Sequence, residues 1–230
     1  MELGALLGTL IGLIFFLMGF AADGMGGLVF FGIVAGATLL SYPFADIRQA
    51  FKSIFGVYKK LNTNAAPVIE EIVRVAAVAR KEGVLAMEGS RASIRDPLLK
   101  KAIKYVVDGL DGPSVREILI AEIQMGADQD LAAASVFEGM GAIAPWIGVL
   151  ASLFDLSHGA KLAGALTPLL LGLGSAHVFF IPWSKKLKRQ IQQSRSMKEV
   201  VQLGIAGIQD GLNPHFIQAR LSLFASALRK

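Results

Sequence analysis

Between Leu3 and Ala45 the chain carries a single charge, Asp23, and no Lys or Arg occurs before Arg48. The uncharged stretches on either side, residues 3–22 and 24–45, are each long enough to cross a bilayer's roughly 30 Å hydrocarbon core as a helix of about 20 residues. With only Asp23 between them they predict a tight transmembrane hairpin. The chain is then strongly charged as far as Glu138, after which two more apolar stretches follow, 139–154 and 162–184. The pattern predicts two spans, a charged block large enough for a domain, and two further spans.

Charge placement orients these spans. Residues 44–139 hold 13 Lys and Arg and the tail after Trp183 holds 9, whereas the short connections opposite hold only Lys161. Lys and Arg accumulate on the cytoplasmic side of membrane proteins. The charged block and both termini are therefore predicted to face the cytoplasm, as four spans permit. The composition, 53% hydrophobic with mean hydropathy +0.55, exceeds what a soluble domain needs. The first stretch lacks a basic n-region and is too long for an h-region, so it reads as a retained span and not a cleaved signal. With no cysteine in the chain, disulfides and thiolate metal sites are excluded. The predicted fold class is an all-α integral membrane protein of four transmembrane helices with a helical cytoplasmic domain between the second and third. Its divisions are a hairpin over 1–45, the cytoplasmic domain over 46–137, spans three and four over 138–184, and cytoplasmic C-terminal helices over 185–230.

In the second span Gly32, Gly36 and Ala37 permit close helix contact in lipid, and ordinary packing within the chain is the expectation for them. Pro43 marks the end of that span. The following segment spaces Phe44, Ile47, Phe51, Ile54, Phe55 and Tyr58 helically among Arg48, Lys52, Lys59 and Lys60. It is either an amphipathic helix at the membrane surface or a continuation of the second span. Residues 61–67 are a linker, with Pro67 placed to start a helix. Ile69, Ile72, Val73 and Ala76 form the next apolar face, and Gly83 a break. Asp96 is the expected N-cap of a helix burying Leu98, Leu99, Ile103, Val106 and Val107. Residues 108–113 are turn chemistry, and a long helix from Ser114 is expected to run unbroken into the third span. No strand-like alternation and no Gly-rich phosphate loop occurs, so the block is a set of helices and not an α/β enzyme domain.

Residues able to do chemistry are few. His158, His177 and His215 lie far apart without metal-ligand spacing, so neither a metal, a cofactor nor an enzymatic activity is expected. The spans contain no deeply placed carboxylate, Asp155 and Asp23 both lying at predicted outer ends. A conducting chain of this kind would need a partner to supply one. The third and fourth spans offer instead the hydroxyls Ser152, Thr167 and Ser175, with prolines at 145, 168 and 182. Hydroxyls in lipid either bond back to their own helix or line a cavity; Ser152 and Thr167 are the candidates for lining. Arg80, Lys81 and Glu88 flank Gly83, and by residue chemistry alone they read as a solvated helix face.

The spacing of spans and several strings resemble the stator A subunit of the bacterial flagellar motor, the MotA/PomA family. SYPFADIRQAFK at 41–52 resembles the family's exit from the second span, and VARKEGVLAME at 78–88 its charged cytoplasmic segment. KKAIKYVVDGLDGPSVREIL at 100–119 resembles the helix–turn–helix ahead of the third span. Ala144-Pro145 with Gly148 is similar to the third-span entry, IPWSKKLKRQ at 181–190 to the fourth-span exit, and GIAGIQDGLNPHFIQARL at 204–221 to the C-terminal motif. The resemblance covers essentially the whole chain. It implies a homopentameric ring in the bacterial inner membrane around a B subunit (MotB/PomB-like) whose aspartate binds the ion. Ion flow would then become torque on a FliG-like rotor protein, with the lipid bilayer as surroundings and no nucleic-acid partner. It further implies that Pro145 and Pro182 couple ion flow to movement, that Arg80, Lys81 and Glu88 face the rotor, and that Ser152 and Thr167 lie on the ion path. Sodium-driven members carry threonine where this chain has Ser152 and Leu169, so H⁺ is the expected ion. The alternative is the related ExbB/TolQ class of proton-driven energisers of the outer membrane; the N-terminal hairpin and the C-terminal motif favour the flagellar branch.

Overall fold

The computed structural model of the chain describes residues 24–58 and 64–227. The predicted first span, Asp23, Lys59 and Lys60 lie outside the described residues. In chain order the helices are α1 (Gly24–Ser41), α2 (Phe44–Val57), α3 (Ala66–Glu82), α4 (Met87–Ser90), α5 (Pro97–Val107), α6 (Gly112–Ser157), α7 (Leu162–Gly174), α8 (Ile181–Gln209) and α9 (Pro214–Ala227). Single 3-10 turns at Val84–Ala86 and Arg91–Ser93 flank α4, and a π-helical turn at Ser175–Phe180 joins α7 to α8 without a break. No strand occurs among the described residues, in keeping with the expected all-helical class. Contacts divide the described residues into two units, one of 24–58 with Gln129–Gln190, the other of 64–128 with 191–227.

In the first unit α1 stops at Ser41, and Pro43, extended at φ −59° and ψ 143°, caps the start of α2. Proline lacks an N–H and fixes φ, so it ends one helix and opens the next at little cost. α1 buries Phe30, Val34 and Thr38, a stripe at four-residue spacing, and the Thr38 hydroxyl donates back to the Val34 carbonyl at 2.7 Å. Among the described residues nothing lies within 4 Å of a Cβ placed on Gly32 or Gly36, and the predicted partner span lies outside them. α2 is a separate helix after Pro43, and it divides the helically spaced apolar residues between two faces. Ile47, Ala50 and Val57 are the buried residues, while Phe44, Phe51 and Phe55 are exposed. Helical spacing puts two stripes on α2, and packing selected the aliphatic one. Tyr42 crosses to α6, where its hydroxyl donates to the Ser135 carbonyl at 3.0 Å and its ring lies against Gly139.

The second unit has a closed apolar core. Ile69, Ile72, Val75 and Ala76 of α3, Leu98, Leu99, Ala102, Ile103 and Val106 of α5, and Val115 and Leu119 of α6 meet Val200, Val201 and Ile205 of α8 and Ile217 and Leu221 of α9. The expected stripes hold with one shift each: Val75 replaces Val73, and Ala102 joins α5 while Val107 is half-buried. Asp96 caps α5 as expected, its carboxylate accepting from the Leu99 N–H at 2.8 Å with Pro97 at the first helical position. Asp111 does the same for α6, accepting from the Ser114 N–H at 3.4 Å, and hydrogen bonds from Ser114 hold its carboxyl below the ordinary 3.8. Lys101 pairs with Glu122 at 2.8 Å, which raises the lysine's pKa. The 204–221 motif is largely a packing device. A Cβ on Gly204 would lie 2.7 Å from the Ile72 side chain, and Gly211 at φ +68° turns α8 into α9.

Candidate functional site

Two helical runs, Gly112–Ser157 of 46 residues and Leu162–Gln209 of 48, are long and apolar enough to cross a membrane. At 1.5 Å per residue each is about 70 Å long, more than twice a bilayer's hydrocarbon core. The unbroken passage of the long helix into the third apolar stretch is as expected, starting at Gly112 instead of Ser114. Among the described residues, the remaining apolar helical stretch, Phe30–Ser41, is shorter.

Within the first unit α6 and α7 meet backbone to backbone. A Cβ on Gly148 would lie 2.6 Å from the Pro168 carbonyl oxygen, and one on Gly172 would lie 2.6 Å from the Ala144 carbonyl oxygen. Both neighbours are main-chain atoms that cannot swing aside, so only glycine fits at either position. Each glycine follows a proline by about one turn, Pro145 before Gly148 and Pro168 before Gly172. Helix-interior proline removes one i−4 hydrogen bond and crowds the carbonyl it should have bonded. The two perturbed turns are thus clasped together where the helices approach most closely. Small residues at such a crossing maximise van der Waals contact in lipid, where apolar burial drives nothing.

The sequence-predicted hydroxyls lie near this crossing in sequence and differ in state. Ser152, one turn beyond Gly148, is buried, and its hydroxyl has no hydrogen-bond partner among the described residues. Thr167 is half-buried, and Ser175 is buried and bonds back to the Gly172 carbonyl at 3.2 Å. A buried hydroxyl left unpaired costs about 1–3 kcal/mol, so Ser152 marks a place that a polar group could occupy. Leu169, at the position of the missing threonine, has its Cα 3.2 Å from where a Gly148 Cβ would be.

Pro182 opens α8 directly after the π-helical turn. An i→i+5 turn is wider than an α-turn, which makes room for the proline ring against the carbonyl four residues back. The turn also carries His177, exposed, whose Nδ1 donates to the Leu173 carbonyl at 3.0 Å. Sequence reasoning placed Pro182 but missed the π turn and the Gly148–Gly172 clasp. The available signal was a proline within an uninterrupted apolar run, and a glycine one turn after each proline. No group of three or more His, Cys, Asp or Glu able to hold a metal occurs among the described residues.

The charged segment of the second unit is shaped by Gly83. At φ +89° it ends α3 in a conformation that side-chain-bearing residues rarely adopt, and the chain turns into the short 3-10 segment. Met87, fully buried, and Ile94 anchor that segment to the core. Arg80 and Lys81, in the last turn of α3, are exposed, and neither forms an ion pair among the described residues. Glu88 is different: it is paired with Arg91 at 2.5 Å on an exposed edge. Nothing in the sequence pattern separated the two free cations from the paired carboxylate.

No protein-family model matches the chain. It is similar to Motility protein A of Bacillus subtilis, 30% identical over 213 residues that cover 85% of this chain and 78% of the relative. It is also similar to the chemotaxis protein PomA of Vibrio alginolyticus, 27% identical over an alignment of 240 positions that covers 96% of this chain and 94% of that one. Among solved structures, C. jejuni MotAB shares the fold at TM-score 0.85 and 24% identity over 97% of this chain and 96% of that one. The flagellar MotAB stator complex from Bacillus subtilis matches at TM-score 0.80 and 25% identity, covering 92% of each chain. The agreement spans both the paired apolar helices and the charged helical unit, and the chain belongs to the motility protein A family of membrane-embedded flagellar stator subunits.

Proposed function

We propose that this stator subunit forms a pentameric ring in the bacterial inner membrane around a B-type subunit and converts ion flow into torque on a FliG-like rotor protein. Its four spans leave both termini in the cytoplasm, with residues 46–137 as the rotor-facing domain, 138–184 lining the ion path and 185–230 returning to the cytoplasm. The observation that carries this reading is the α6–α7 pair. It is clasped at Gly148 and Gly172 beside two prolines and offers an unpaired buried Ser152 hydroxyl, yet between Gly139 and Trp183 it carries no acid except Asp155. A titratable carboxylate on the ion path must then come from another chain. Ser152 and Thr167 line the path, and Pro145 and Pro182 transmit the carboxylate's protonation as helix movement. The ion is H⁺: with Leu169 at the fourth-span position, too few oxygens remain to hold a dehydrated Na⁺, whereas a proton needs only the carboxylate and intermittent water. The chain serves as a motor part and not as an enzyme.

At the rotor, Arg80 and Lys81 supply free positive charge, while Glu88 is shared with Arg91. Exposed pairs of that kind contribute about 0–1 kcal/mol, so Glu88 can exchange partners cheaply. In cells lacking their own stator A subunit, Arg80→Glu should abolish most swimming with membrane insertion and ring assembly unchanged, and Glu88→Lys should weaken it less. A compensating reversal on the rotor should restore part of the Arg80→Glu loss. Wild-type swimming in both variants would return these charges to a solvated face. Speed unchanged when Na⁺ is removed at fixed membrane potential supports the proton; loss of function restored by Na⁺ would overturn it.

A further inference from the structure

Helix α2 carries a face that is exposed among the described residues. Phe44 is 72% exposed and Phe55 79%; Phe51, 49% exposed, sets one edge of its ring against Phe137 at 5.9 Å and leaves the rest open, whereas Ile47, Ala50 and Val57 are buried. At about 100° per residue the three phenylalanines fall within roughly 40° of one another, and Arg48 and Lys52 follow on the adjoining flank. Both basic residues are exposed. The one acidic residue of the helix, Asp46, is half-buried and lies about 200° round from Phe44, so no carboxylate shares this face. Single exposed apolar residues need no explanation, but three aromatic rings aligned beside two cations form a surface made for something.

What covers it follows from charge and from chain continuity. The helix starts at Phe44, directly after α1, whose last turn exposes Leu39 and Leu40. An apolar helix leaving a membrane delivers the next element to the headgroup level. There, aromatic rings at the acyl boundary and basic tips at the phosphates are both satisfied. We propose that the Phe44–Val57 helix binds an anionic bilayer surface, with Phe44, Phe51 and Phe55 at the acyl boundary and Arg48 and Lys52 on acidic lipid phosphates. This rests on the membrane embedding of the family and adds a lipid chemistry to it. Each cation near such a surface should favour acidic over zwitterionic lipid by on the order of five-fold.

The chain has no cysteine, so one introduced at position 55 gives a single reporter. The full-length Phe55→Cys subunit, assembled with its B subunit and labelled with an environment-sensitive fluorophore, would be reconstituted in phosphatidylcholine vesicles containing phosphatidylglycerol. Brominated acyl chains would be placed on one lipid or the other. Brominated phosphatidylglycerol should quench at a several-fold lower mole fraction than brominated phosphatidylcholine, and Arg48→Gln with Lys52→Gln should remove that preference. Equal quenching by both lipids in the chain with Arg48 and Lys52 intact would overturn the phosphate contact. No quenching, with disulfide formation between unlabelled copies at position 55, would overturn the proposal in favour of a second copy on this face. A parallel probe at Leu150, exposed on α6, should be quenched whatever the headgroup; its failure would instead strike the membrane reading.

Discussion

The two units of this chain reach stability by opposite routes. In the unit of residues 62–128 and 191–227, Leu99, Ile103, Leu119 and Ile205 are fully buried in one continuous core, with charged residues outside. The unit of residues 24–58 and 129–190 turns large apolar side chains outward, among them Leu40, Trp146, Leu150, Phe154 and Leu170, and sets Gly139, Gly148 and Gly172 at its helix contacts. The first arrangement uses the removal of apolar surface from water, the second the close approach of backbones in a solvent as apolar as leucine. One chain can hold both because a helix satisfies its own backbone in either solvent. In the lipid-type unit glycine lets backbones meet, as at Gly148 and Gly172; in the closed-core unit it makes turns such as Gly83 and gives room to core side chains, as Gly204 does for Ile72.

That contrast can be broken at Leu99. Leu99→Ala should leave a cavity and cost the closed-core unit about 2–5 kcal/mol, read as a lower unfolding midpoint in detergent with swimming lost through instability. A cost near that of a surface substitution would mean the core is not the closed one described. The matching test in the other unit is Gly148→Ala. With a backbone oxygen 2.6 Å from the new Cβ, the helices must part, at about 1–3 kcal/mol, and ion-driven rotation should fall even where the assembled complex survives. Gly36→Ala is the control, since no described residue lies within 4 Å of its Cβ position, and its effect on subunit stability should lie within about 0.5 kcal/mol. Equal costs at Gly148 and Gly36 would refute the clasp.

Smaller effects sharpen the picture of the core unit. Asp96→Ala removes the carboxylate that accepts from the Leu99 N–H and should cost about 1 kcal/mol, with Asp96→Asn or Ser recovering most of it. Asp111 provides a pH signature. Its pKa is lower in the folded protein, so the stability it contributes is fully present above the ordinary 3.8 and is lost as pH falls through the folded value. Asp111→Asn should flatten that part of the acid limb while leaving stability at neutral pH nearly unchanged; an unaltered acid limb would remove the cap from consideration.

Much of the core unit was legible in the chain. Asp96-Pro97 announces a helix start because a carboxylate can accept from the free N–H groups there and proline needs none, and both groups are in place. Gly83 announces a stop, and the stripes of α3 and α5 follow helical spacing to within one residue. The α2 face was not legible. Its aromatic and aliphatic stripes have the same period, and only the neighbouring helices determine which is covered. The candidate site was half legible. Pro145, Pro182, Arg80 and Glu88 were selected through resemblance, but the pairing of Glu88 with Arg91 depends on how the chain turns after Gly83.

The sequence by itself determined that the chain is helical, that long apolar stretches frame a charged block, and that the spacing of spans and several strings resemble a flagellar stator subunit. These properties depend on residue type and spacing along one dimension, where the length of an apolar run and the sign of its flanks carry the information. The tertiary structure alone decided that Gly148 meets Gly172 beside two prolines, that a π turn accommodates Pro182, that Ser152 is buried without a partner among the described residues, and that Phe44, Phe51 and Phe55 are exposed. Each of those depends on which residues become neighbours across α6, α7 and α2. Contact between distant positions is a matter of packing, and no local propensity encodes it.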